Sequence, residues 1–153
     1  SNGSASGLYR KQRIDLYRYP YLNWEWRIEN RLDTTNEQAK SGDDYAARIY
    51  VIVSGGVFFW KTRALNYVWA NASAKKSVWP NAFAGGNAMM MALRSGQDSV
   101  SEWYAEKRNV LEDLKGIFGE DIRYVDAVAL MTDTDNSGGR VTAYYGDIFF
   151  SSK

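Results

Sequence analysis

Leu22-Asn23-Trp24-Glu25-Trp26-Arg27-Ile28 is the stretch that decides the fold. Large apolar side chains occupy every second position, and polar or charged ones fill the gaps. A strand turns successive side chains to opposite faces, so the segment reads as a β-strand with one buried and one wet face. The same period recurs on both sides. Upstream, Gly7 to Leu16 is extended and carries Arg10, Lys11 and Arg13, which suits a sheet edge, and Pro20 separates it from the first segment. Downstream, residues 30–44 are polar, without apolar periodicity, and read as a surface loop. Ala47, Ile49, Val51 and Val53 then face one way, with Tyr50 and Ile52 opposite, the pattern of a central strand buried on both faces. Phe58 to Ala70 supplies one or two strands, Asn71 to Asn87 reads as loop, and Ala88 to Arg94 is a short Met-rich strand. Arg123 to Met131 and Arg140 to Phe150 alternate again.

One segment departs from this period. Trp103, Lys107, Val110, Leu111, Leu114, Ile117 and Phe118 follow three–four spacing, and Ser99 with Glu102 forms a capping-box pattern. Gly119 is placed to stop a helix. The expectation is mainly β: a two-sheet antiparallel sandwich of seven or eight strands, with one α-helix near residues 100–118 laid across an end or face. At 153 residues the chain is one domain, spanning residues 1–153.

Composition removes whole chemistries. The chain has no Cys and no His, so disulfides, thiolate metal sites, the Ser-His-Asp triad and histidine zinc helices are excluded. Nineteen Lys and Arg against 18 Asp and Glu leave a net charge of +1, and no ribonucleoprotein motif appears, which argues against a nucleic-acid partner. The longest uncharged run, Ser77 to Leu93, is broken by Pro80, Gly85 and Gly86, which argues against a membrane-spanning segment, and no signal peptide is visible. Aromatics make up 15% of the chain, the signature of a folded core rather than of disorder.

Four constellations carry polar chemistry. Asp43 and Asp44 stand at the entry to the central strand, where adjacent carboxylates ligate a cation, serve as acid and base, or cap turns in an acidic loop. Trp60 to Trp69 places aromatic rings beside Arg63 and Asn66. Rings that stack on a sugar face and polar groups that read its hydroxyls make a glycan-binding surface, whereas Trp69 also fits a sandwich core. Arg108 and Asp113, in a charged stretch, either form intrahelical pairs or point at the acidic loop. Asp133, Asp135 and Ser137 stand at alternate positions before Gly138, the first half of a calcium loop or an Asx-rich hairpin turn. Tyr144 stands where an EF-hand needs glutamate, which excludes a complete EF-hand. The resulting expectation is a non-catalytic module that binds a glycan or similar polar ligand through Trp60, Arg63, Asn66, Tyr67, Arg108 and Asp113. Asp133, Asp135 and Ser137 are the Ca2+ candidates, and no cofactor is required. The alternatives are a carboxylate-based hydrolase acting on a saccharide through Asp43 and Asp44 with Asp133 or Asp135, and a purely structural or interaction domain.

Several stretches together resemble the bacterial domain-of-unknown-function family 3047: Ser4 to Leu8, Leu22 to Trp26, Ser41 to Arg48, Arg63 to Trp69, Arg108 to Val110, Met131 to Asn136 and Ala143 to Asp147. The resemblance covers nearly the whole chain. It implies a jelly-roll-like sandwich similar to galactose-binding domains, in proteins often exported to the periplasm, and no established activity. It also implies that relatives carry further sequence before the equivalent of Ser4, so this chain is expected to lack an N-terminal portion. An edge left without its neighbour predicts a homodimer paired through Leu8 to Leu16 or the adjoining edge.

Overall fold

Trp24 and Trp26 are buried on one face of a strand, together with Leu22 and Ile28, as their alternation requires. A computed structural model describes residues 1–34 and 36–153; Thr35, inside the stretch read as a surface loop, lies outside the described residues. The elements run β1 (Ala5–Asp15), β2 (Tyr21–Ile28), β3 (Arg48–Val53), β4 (Arg63–Trp69), β5 (Val78–Asn81), β6 (Gly85–Arg94), β7 (Tyr104–Asn109), α1 (Val110–Phe118), β8 (Tyr124–Asp133) and β9 (Ala143–Ser151). They form two sheets, one of order β1-β8-β3-β4-β6-β5 and one of order β7-β2-β9. The chain is therefore mainly β and sandwich-like, with one α-helix among the described residues. No described helix is long and apolar enough to cross a membrane.

The core lies where β2 faces β4. The Trp24 ring sits 5.4 Å from that of Tyr67, Trp26 lies 5.9 Å from Trp69, and the two β2 indoles meet edge to face at 5.4 Å. Aromatic pairs at such separations contribute beyond their buried area. Ile49, Val51 and Leu65 complete the same layer. The opposite face of the large sheet carries Arg48, Tyr50 and Asn66, aligned across β3 and β4 by the pairing of Tyr50 with Asn66.

Three expectations change. The strand pairing is not wholly antiparallel: β4 and β6 run parallel, because β5 passes outside and its hairpin returns β6 into the slot beside β4. That hairpin also puts a strand, β5, into the stretch read as loop. The helix starts at Val110 rather than near residue 100. Residues 104–107 alternate in exposure, residues 104–109 pair with β2 as β7, and Ser101 adopts φ 60°, which a helix start cannot accommodate. Asn109 is the N-cap instead, its side chain accepting from the Glu112 N–H at 3.1 Å, and Gly119 closes the helix at φ 72°.

The polar loop before β3 is anchored by a residue that composition does not single out. Glu37 is buried, and its carboxylate accepts the backbone N–H groups of Asn71 (2.8 Å), Ala72 (3.0 Å) and Ser73 (2.7 Å).

Two substitutions probe this architecture by chemical denaturation. Trp26→Ala is expected to cost roughly 3–5 kcal/mol through the cavity it opens. Glu37→Ala strands three N–H groups and is expected to cost at least about 1–3 kcal/mol; a loss below this range would mean that the nest is not structural.

Candidate functional site

The acidic pair at positions 43 and 44 enters the fold through a single 3-10 turn, Lys40–Gly42. Gly42 is required there, because an added Cβ would run into the Asn36 carbonyl. The turn delivers Asp43 and Asp44, both buried, just before β3. Asp43 accepts from the Asn81 side-chain amide at 3.1 and 3.3 Å. Asp44 accepts the backbone N–H groups of Asn136 (3.1 Å) and Ser137 (2.5 Å), so it ties the β8–β9 loop to the segment before β3.

Asp133 ends β8 beside them and is 3% exposed. Its carboxylate accepts the Tyr45 N–H at 3.2 Å and the Arg48 guanidinium at 3.1 Å. Arg48 opens β3 with its side chain largely buried, donates also to the Met131 sulfur at 2.8 Å, and has an Nε with no acceptor. Beyond Arg48 the outer face of the large sheet forms an open pocket of about 470 Å³. Tyr50, Asn66 and Ala88 lie on its floor, with Asn81, Phe83 and Asp135 around it.

Electrostatics separate the carboxyl groups. Burial raises Asp133 to about 6, against the opposing pull of Arg48 and the Tyr45 N–H, with Asp44 and Asp43 adding to the rise. Burial likewise raises Asp43, opposed by Arg48 and the Asn81 amide. Asp44 feels the same burial, but the hydrogen bonds from Ser137 and Asn136 outweigh it and hold its carboxyl below the ordinary value. Asp44, Asp133 and Asp135 each offer an oxygen within 4.8 Å of the others.

The residues expected to bind ligand do not form one surface. Asn66 lines the pocket. Tyr67, its neighbour on β4, necessarily points the other way into the core, where its hydroxyl donates to Asp113 at 2.8 Å. Arg108 grips the same Asp113 with two bonds of 2.6 and 2.9 Å, so Tyr67, Arg108 and Asp113 fasten α1 to the core. Arg63 pairs with Glu120 at 2.9 Å. Trp60 is exposed on the Phe59–Lys61 turn, against Phe58 and Phe59. Asp43, Asp44 and Asp133 lie near one another before and beside β3, Arg108 and Asp113 meet at α1, and Arg63 joins neither set. Ser137 contributes its N–H to Asp44. Arg48, Tyr50 and Asn81 were not among the expected site residues. The available signal was a charge opening an otherwise apolar strand, with Tyr50 two residues on and so on the same face.

The family model for the protein of unknown function DUF3047 matches residues 1–149. The chain belongs to this family. No curated protein matches it. DUF3047 membership carries no activity with it, so the chemistry of this domain rests on the geometry above.

Two outcomes follow from the buried pair. Arg48→Met leaves Asp133 without its cation and is expected to cost about 3–5 kcal/mol. The raised Asp133 binds a proton more tightly in the folded chain than in the unfolded one. Its contribution is therefore complete below the unfolded value near 3.8 and lost as pH rises through about 6. The melting temperature of Asp133→Asn relative to the parent should climb between pH 4 and 6; a flat difference would rule out the raised carboxyl.

Proposed function

We propose that this domain is a non-catalytic binding module for a glycan or similar polar ligand, taken at the outer-face pocket. The observation that supports the reading is the lining itself. The rings of Tyr50 and Phe83 stand beside the planar donors and acceptors of Arg48, Asn66, Asn81 and Asp133 in a recess of about 470 Å³. Small-ligand sites have volumes of this order and combine stacking surfaces with a few fixed polar groups. Arg48 and Asp133 hold each other in place, so the polar groups are oriented before a ligand arrives. Calcium belongs to the same proposal as an ion between Asp133 and Asp135, with Ser137 nearby on the loop and the remaining oxygens supplied by ligand or water.

One observation favours a second reading, a carboxylate-based hydrolase of saccharides. Asp133, raised to about 6, has within 4.8 Å an oxygen of Asp44, which hydrogen bonds hold below its ordinary value, and carboxyl groups whose proton affinities are pushed apart are what acid–base chemistry uses.

A glycan array followed by calorimetry tests the proposal. A retained saccharide is expected, with affinity falling about tenfold or more in Tyr50→Ala and Asn66→Ala, the loss of stacking and of a hydrogen-bonding side chain. Retention that both variants leave unchanged would move the site elsewhere. Reducing ends released by the parent but not by Asp133→Asn would replace the binding reading with the hydrolytic one. Millimolar calcium should raise the melting temperature, and Asp135→Asn should abolish the rise; no rise in the parent removes the ion.

A further inference from the structure

The two sheets differ in width, and the difference leaves a slot. The Tyr145 hydroxyl of β9 donates to the Met131 carbonyl of β8 at 2.7 Å, so β9 lies over β8, and among the described residues no strand lies beyond it over β1. The inward side of β1 is accordingly open: Leu8 is 70% exposed. Two cavities run in line along this slot, of about 590 and 280 Å³, and share Leu8 and Leu130. Their walls are apolar where β8 and β9 contribute Val128, Leu130, Ile148 and Phe150. Arg10 is the cation in the larger cavity, and among the described residues no acid forms an ion pair with it. β1 and β9 are both sheet edges, so each presents backbone N–H and C=O groups without a strand partner.

We infer that this slot receives an extended polypeptide strand from a partner, apolar toward the sandwich and carrying one acidic side chain opposite Arg10. The strand adds to the free edge of β9 and lies across the inner face of β1 and β8. Strand addition of this kind takes its affinity from main-chain bonds and its specificity from the side-chain pockets. A second copy of this chain pairing β1 with β1 fits less well. Antiparallel self-pairing through Arg10, Lys11 and Arg13 brings like charges together, which destabilises a cross-strand pair. The surface is distinct from the polar pocket, which lies on the other face of the large sheet.

The test uses a short fluorescent peptide alternating valine and threonine, with glutamate replacing its central valine, and the matching lysine peptide. Anisotropy should show the glutamate peptide binding about tenfold or more tightly than the lysine one, with the preference inverted in Arg10→Glu. Leu8→Asp should weaken both peptides. Both variants change exposed side chains, and unchanged melting curves establish that they fold. Hydrogen exchange should show the amides of Gly146 to Ser151 protected when the glutamate peptide is bound. Equal affinity of the two peptides, or binding without protection of β9, overturns the inference. So does a concentration-dependent dimer in sedimentation that protects the same amides without peptide, since a second copy would then be the occupant.

Discussion

The structure depends on the meeting of Trp24 and Trp26 with Tyr67 and Trp69. Four large rings from two strands lock the sheets face to face, and that contact decides which side of every other strand is inside. Once Tyr67 and Trp69 point inward, Asn66 must point outward, and the register of β4 with β3 brings Tyr50 beside it. The polar face of the large sheet is thus a by-product of an aromatic core. The indole N–H groups register the cost. Trp26 donates to Glu106 at 3.1 Å, but Trp24 and Trp69 bury theirs without an acceptor, which only tight ring packing offsets.

On the outer face the organising element is the Arg48–Asp133 pair. A buried ion pair is a poor source of stability, since desolvation consumes most of the Coulomb gain. Its value here is positional. The guanidinium is fixed by a carboxylate and a thioether, and the carboxylate by a main-chain N–H, so charge and direction are set together at the mouth of the pocket.

The sequence made the sandwich legible wherever one face is wet. Leu22 to Ile28 and the strand around Ile49 to Val53 announce their period because polar residues mark the outside. It misled where periods of two and 3.6 coincide. Trp103, Lys107 and Val110 satisfy helical spacing, yet residues 104–107 alternate in exposure, and pairing with β2 settles the matter in favour of a strand. The site was half legible. Asp43, Asp44 and Asp133 were visible as acids at strand ends, but whether an acid caps a loop or faces a pocket depends on which backbone N–H groups arrive from distant segments. Asp44 and Glu37 take bonds from residues 92 or 93 and 34 to 36 positions away. No local pattern encodes such partners.

The Glu37 carboxylate has a consequence for sequence change. Glu37 grips its loop by the main-chain amides of Asn71, Ala72 and Ser73, which every residue except proline possesses, rather than by particular side chains. The loop that Glu37 holds is therefore indifferent to most substitutions at Ala72 or Ser73. A scaffold held in this way tolerates change in the side chains it displays without refolding.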